Sequence, residues 1–182
     1  MLELTTERLC LRAITATDLA DLCALSADAR VMQSLGGTLN QAQSEAWLER
    51  QLAHWREHGF GRFRVARDAR FIGFVGLTRT DFDRGLVPGV EIAWRLAFAD
   101  WGQGYATEAA RAAIEHGFSA LNFSDVIGVT SVGNTRSRRV MTRLGMSHSP
   151  AETFEHPALA AGDPRRTHVV YRLRRAELFT RR

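Results

Sequence analysis

The chain has 182 residues, enough for one domain with a full core, and its 45% hydrophobic and 24% charged residues are ordinary for a globular protein. All 24 basic residues are arginine, and against 20 acidic residues they leave a net charge of +4 with a pI near 10. No apolar run is long enough to span a membrane and no apolar leader core follows Met1, so a cytoplasmic protein without membrane attachment is expected.

The arginines are scattered apart from short groups at 136–139, 165–166 and 172–175 and at the C-terminal end. A solvated face or an anionic small-molecule ligand accounts for such groups. No groove-reading helix or ribonucleoprotein aromatic motif accompanies them, so no nucleic-acid partner is required. Cys10 and Cys23 lie in apolar segments and read as small buried hydrophobes of a reducing compartment.

In chain order, Arg8 to Ile14 alternates in part and reads as the first strand. Thr17-Asp18 is placed to cap a helix carrying Leu19, Leu22 and Leu25. Gly36-Gly37 interrupts the chain. Ser44 to His58 is an amphipathic helix with Trp47, Leu48, Leu52 and Trp55 on one stripe, and Gly59 follows its end. His54 and His58 on it read as surface residues. Three strands follow, Arg62–Arg67, Phe71–Leu77 and Val90–Leu96, and the short polar segments between them, including Asp83 to Gly89, predict antiparallel hairpins. A helix from about Tyr105 to Ala120, a strand Val126–Thr130, a helix from Asn134-Thr135 to Leu144 with Gly145 to stop it, a long proline-bearing loop and a last strand His168–Leu173 complete the chain. The whole predicts one mixed α/β domain over residues 1–182, with an antiparallel start and a strand–helix–strand–helix finish. Trp47, Trp55 and Trp94 read as core residues.

One stretch stands apart: Trp101-Gly102-Gln103-Gly104-Tyr105-Ala106-Thr107-Glu108 joins a strand to a helix. Two glycines let backbone approach a ligand closely. A helix opening straight after them leaves its first N–H groups aimed outward, a natural phosphate site. The third glycine of the dinucleotide fingerprint is missing, and no Lys-Ser/Thr pair marks a triphosphate loop. On spacing alone a phosphate site and a plain strand-to-helix turn stand level.

The wider pattern resembles the GNAT superfamily of acyl-CoA-dependent N-acetyltransferases. Trp101-Gly102-Gln103-Gly104-Tyr105-Ala106 is similar to that family's Q/R-x-x-G-x-G/A signature. Leu4 to Arg12, Glu91 to Leu96, Trp101 to Ala109, Asn134 to Met141 and Leu144 to Met146 resemble, in order, the branch that acetylates ribosomal-protein N-termini. The resemblance implies a mostly antiparallel central sheet, about four flanking helices, and fourth and fifth strands that splay apart to take the pantetheine arm of acetyl-CoA. It implies that the arm pairs with backbone at Trp94, Arg95 and Leu96, and that the pyrophosphate sits on the amides of Gly102, Gln103, Gly104, Tyr105, Ala106 and Thr107. Trp101 departs from the signature's Gln or Arg, so the phosphate grip rests on backbone amides; Arg138 and Arg139 are the candidate basic side chains, and surface solvation is the other reading of each.

Acyl transfer to an amine needs the amine neutral, although a free alkylamine has a pKa of about 10 and an α-amine about 8. A base is therefore useful. Glu91 is the candidate, because alternation places Glu91, Ala93 and Arg95 on one strand face and Val90, Ile92, Trp94 and Leu96 on the other. The other reading of Glu91 is a partner for Arg95 or another arginine. By the resemblance, Ser137 hydrogen-bonds the CoA sulfur, and Asn134 bonds the pantetheine arm or caps its helix. Many family members carry a tyrosine acid where Met141 stands here. A serine inside a helix also commonly bonds a carbonyl one turn back. No histidine group has metal-ligand spacing, and no metal is expected. The expectation is direct transfer from acetyl-CoA to a primary amine, a protein N-terminus or a small amine, by a monomer or homodimer. The alternative is a non-catalytic acyl-CoA-binding sensor on the same fold.

Overall fold

The computed structural model describes residues 2–80, 89–157 and 159–179. The chain opens not on one strand but on a hairpin of β1 (Glu3–Thr5) and β2 (Cys10–Ala13), paired antiparallel. Thr6 makes the turn, its amide donating to the Leu9 carbonyl at 2.9 Å and its Oγ1 accepting from the Leu9 amide at 3.0 Å. Three helices follow: α1 (Leu19–Ala27), α2 (Ala29–Met32) and α3 (Gln41–His58). Asp18 does not cap α1 with its side chain. Its carboxylate, only 2% exposed, accepts from Arg12 and from the Thr15 amide instead. α3 starts three residues before Ser44 because Asn40 and Gln43 form a reciprocal capping box, and it ends on Gly59 at φ 73°.

The strands β3 (Arg62–Arg67), β4 (Arg70–Thr80) and β5 (Gly89–Leu96) form the antiparallel centre. The whole connection between β4 and β5, residues 81–88, lies outside the described residues, and with it all of the expected Asp83 to Gly89 segment except Gly89. Then come α4 (Tyr105–Ser119), β6 (Asp125–Ser131) and α5 (Thr135–Arg143). Within the long loop lie two short strands, β7 (Ser147–His148) and β8 (Phe154–Glu155), both paired with β9 (Thr167–Arg174), which leads into α6 (Arg175–Phe179). The sheet runs β1-β2-β3-β4-β5-β6-β9-β7, with β8 also on β9. Four helices carry the expected amphipathic runs, and α2 and α6 add a short turn each.

The expected splay is between β5 and β6, the fourth and fifth strands of the sequence reading. They run parallel and pair at a single position, Glu91 opposite Ile127. Beyond it their C-terminal halves share no ladder, and the right-handed twist of the sheet carries them apart.

The sheet divides two cores. On one face Val75, Leu77, Val90, Ile92 and Leu96 pack on Ala109, Ala113, Ile114 and Phe118 of α4. On the other, Phe74 packs with Leu22 and Leu25 of α1, Met32 of α2 and Leu48 of α3. No helix among the described residues is long and apolar enough to cross a membrane.

Candidate active site

The glycine turn is built around two left-handed residues, Gly102 at φ 78° and Gly104 at φ 85°, a backbone that side chains with a Cβ resist. A Cβ added at Gly102 would stand in open space, so the strain there, not crowding, calls for glycine. Gly104 is the N-cap of α4 and supplies no side-chain acceptor to its first turn. The amides of Tyr105, Ala106 and Thr107 therefore lack a capping side chain, and the positive end of the helix dipole lies behind them.

Neighbouring carboxylates are drawn away from this helix end. Glu108 accepts from Thr6 Oγ1 at 2.6 Å, from the Arg8 amide at 3.0 Å and from Arg8 Nε at 2.7 Å. Burial pushes its carboxyl up, but these bonds outweigh burial and hold it below the usual range. Asp100, 4% exposed, takes a forked bond from Arg70. Arg8 also donates to the Gln103 carbonyl at 3.2 Å and covers the Tyr105 ring. The buried Tyr105 side chain is tied by its hydroxyl to Arg67 at 2.6 Å, so only its backbone faces the turn.

Trp101 has a structural task. Its indole donates to the Leu96 carbonyl at 2.8 Å, engaging one lone pair of a group expected to meet the pantetheine arm. Arg136, from the first turn of α5, lies over the Trp101 ring at 4.9 Å and so joins the two sides of the splay. Arg138 instead bonds the Tyr171 hydroxyl and the Val132 carbonyl, while Arg139 stays exposed on a shallow hollow with Thr135 and Thr142. Sequence reading named Arg138 and Arg139 and did not single out Arg136.

Asn134 caps α5, accepting from the Ser137 amide at 3.2 Å. Its side-chain amide donates to Ser137 Oγ at 3.1 Å and to Thr130 Oγ1 at 3.0 Å. Ser137 does not bond back to a helical carbonyl. Because Oγ accepts from Asn134, its own proton is left to donate, and no acceptor for it occurs among the described residues. Met141, 2% exposed, packs under Gly128 of β6, where it fills core space.

Glu91 sits where the two strands part, on the face toward α1 and α3. It does not pair with Arg95, and makes no ion pair among the described residues. Burial pushes its carboxyl up, and the positive charge of Arg62 offsets this in part. Arg95 turns to α1 and α3, donating to Ser26 Oγ at 2.9 Å and lying over the Trp47 ring at 5.1 Å. Arg62 reaches Thr78 Oγ1 at 3.4 Å, and its Nε is buried without a hydrogen-bond partner. Arg62, Thr78, Ser26 and Trp47 escaped sequence reading: strand alternation gives their faces but not the register that brings them together.

The histidines stand apart from this centre, and no metal-ligand group occurs among the described residues. His54 is not a free surface residue. Its Nδ1 meets the Phe60 carbonyl at 2.8 Å and its Nε2 accepts from the Arg79 amide at 2.9 Å, so the ring is neutral with its proton on Nδ1. Cys10 and Cys23 are unpaired and half-buried.

Residues 8–147 match the family model described as the acetyltransferase (GNAT) domain. The uncharacterized protein YkkB of Bacillus subtilis (strain 168) is 31% identical over 151 residues, 81% of this chain and 86% of that protein. The FsC-acetyl coenzyme A-N(2)-transacetylase of Aspergillus fumigatus is 42% identical over 100 residues, 53% of this chain and 42% of that protein. Among solved structures, the acetyltransferase from Agrobacterium tumefaciens str. C58 superposes with a TM-score of 0.76 at 27% identity, covering 95% of this chain and 94% of that one.

Proposed function

The chain belongs to the GNAT acetyltransferase family and is an acetyltransferase, and on that footing we propose that residues 1–182 form one domain that moves acetyl directly from acetyl-CoA to a primary amine. The observation that carries this reading is the uncapped first turn of α4 at the mouth of the β5–β6 splay, with Glu91 on one side and Ser137 on the other. The residues present suit acetyl-CoA: the amides from Gly102 to Thr107 meet its phosphates, and the backbone of Trp94 to Leu96 with Asn134 meets its pantetheine arm. When bound, it supplies an acetyl thioester.

The chain's own groups then divide the work. Glu91, held basic by burial, takes the proton of the incoming ammonium, directly or through water. A β5 backbone N–H stabilises the oxyanion. Ser137 donates a hydrogen bond from its hydroxyl to the sulfur and stabilises the thiolate as it departs, a contact that Met141 has no proton to make. Direct transfer fits the absence of an activated cysteine at the splay: Cys10 lies on β2, and burial pushes its thiol up. The acceptor is a protein N-terminus or a small amine.

Thermal unfolding with and without acetyl-CoA tests the reading. At ~100 times its dissociation constant a ligand adds about 2.7 kcal/mol, a rise of roughly 5–10 °C for a domain of this size. No rise with acetyl-CoA, while the free chain melts cooperatively, would overturn it.

A further inference from the structure

The arginines of the sheet face beneath α1 and α3 fall into two kinds. Arg12 and Arg64 are held by Asp18 and Asp21. Arg62 and Arg95 are not held: neither makes an ion pair among the described residues. Burial pushes both guanidinium groups down, Arg95 to about 10, and each is further affected by a neighbour's charge, Glu91 supporting Arg62 and Arg62 opposing Arg95.

The register explains how they meet. Arg62 is opposite Gly76, Gly76 is opposite Ala93, and Thr78 is opposite Glu91. The space over Gly76 is taken by the backbone of Gly61 and Arg62, which brings Arg62 onto the sheet beside Ala93, and the small Ala93 side chain leaves Arg62, Glu91 and Arg95 as the charged groups around it. Although two helices cover this face, Arg62, Thr78, Glu91, Ala93, Arg95 and Trp47 all keep partial solvent contact, so the cluster is open to a ligand. Two half-buried cations and one half-buried carboxylate leave one positive charge without a partner among these three. Such a charge costs stability unless a partner meets it.

Resting on the acetyltransferase reading above, we propose that the acceptor is a small primary amine bearing a carboxylate, its amine at Glu91 and its carboxylate held by Arg62 and Arg95. A guanidinium matches a carboxylate with two parallel N–H donors, and the orphan Nε of Arg62 is one such donor. The surplus of one charge suits a monoanion; a phosphate monoester brings nearly two. Glu91 and Arg95 are four residues apart on one strand face, about 13 Å between Cα atoms. Their side chains take up much of that span, leaving room for an amine and a carboxylate a few bonds apart.

The test compares matched acceptors with the full chain, following thiol release from acetyl-CoA: glycine against glycinamide, β-alanine against β-alaninamide, and 4-aminobutyrate against 4-aminobutanamide. Phosphoethanolamine, 1,4-diaminobutane and a peptide with an acidic N-terminus are added. The carboxylate of the best pair is expected to exceed its amide at least tenfold in kcat/KM, and to exceed the three added acceptors. Arg62→Gln and Arg95→Gln are each expected to bring that ratio near one. A merely structural role would lower both members of a pair alike and keep the ratio, which would overturn the proposal. So would an amide equal to its acid in every pair, or preference for the phosphate, the diamine or the peptide. The wild-type ratios decide even if neither variant folds. Acetylation without carboxylate preference sinks this inference alone. Failure of acetyl-CoA to bind sinks the acetyltransferase reading with it.

Discussion

The two faces of β5 are built from one alternating stretch and end in opposite conditions. Toward α4, Val90, Ile92 and Leu96 are at most 7% exposed and meet alanines and Phe118. That face is dry and close-packed, and its contribution is to stability. Toward α1 and α3, Glu91, Ala93 and Arg95 keep solvent contact, and two charges sit where packing would favour apolar side chains. A natural core retains such groups where they serve chemistry at some cost in stability. The difference teaches where to look: a strand that is half core and half site reports its function on the face that packs worst.

Substitutions should separate the faces. The largest expected effect is on the α4 side. Phe118 is fully buried, and Phe118→Ala should cost about 3–5 kcal/mol in denaturant unfolding. Its kcat/KM, measured well below the melting transition, should stay near wild type. Loss of activity in folded Phe118→Ala protein would mean that the faces are not separable.

Glu91→Gln is the converse. It keeps size and removes the base, so kcat/KM should fall about 100-fold or more, with little change in acetyl-CoA affinity. Because burial raises the Glu91 carboxyl, the wild-type rate should fall on the acid side at a pH above the usual carboxylate range. The variant should lose that limb of the profile. A wild-type-like rate would remove Glu91 from the mechanism.

Ser137→Ala sharpens the comparison from the far side of the splay. The α5 cap survives, because Asn134 accepts from the backbone amide of residue 137, which alanine keeps. What is lost is the Oγ, with its proton and the bond it accepts from the Asn134 side-chain amide, which still donates to Thr130. Loss of the sulfur contact should cost on the order of tenfold in kcat, and loss of the Asn134 bond about 1 kcal/mol of stability or less. Thiol release with a more acidic leaving group should be less affected. An unchanged kcat would count against a sulfur contact.

Sequence periodicity carried the helices and long strands because each meets a single environment along its length. Glu3–Thr5 escaped because a three-residue strand has too little alternation, and its separation from β2 depends on local bonds from Thr6. The neighbour relation of β5 and β6 came from the family resemblance, because alternation names a strand's faces and not its neighbours. At the site, the glycine turn was legible, because two glycines before a helix mark backbone that favours the left-handed conformation. Arg62 was not. It reads as one polar position in Arg-Phe-Arg-Val-Ala-Arg, and its neighbours Thr78 and Glu91 stand on β4 and β5, brought to it by a register that alternation does not give. His54 looked like solvent-facing helix because both of its partners, Phe60 and Arg79, are carbonyl and amide groups invisible to a side-chain pattern.

His54 gives the smallest effect and bears on the same face, since it pins α3, one of the helices over that face, to the end of β4. Burial depresses its imidazole, His58 and Arg62 add to this, and the Phe60 carbonyl and Glu57 oppose it. In the unfolded chain it titrates near ~6.5. As pH falls through that value the unfolded chain takes the proton first, so stability present above it is lost on the way down to the folded-state value. A proton on Nε2 also removes the acceptor of the Arg79 amide. Denaturant midpoints from pH 8 to pH 5 should therefore fall less steeply in His54→Gln than in the wild type. His116, depressed by burial too, keeps part of the slope in the variant. Equal slopes would mean that His54 carries its proton in the folded chain, and that the link between α3 and β4 is not the one described.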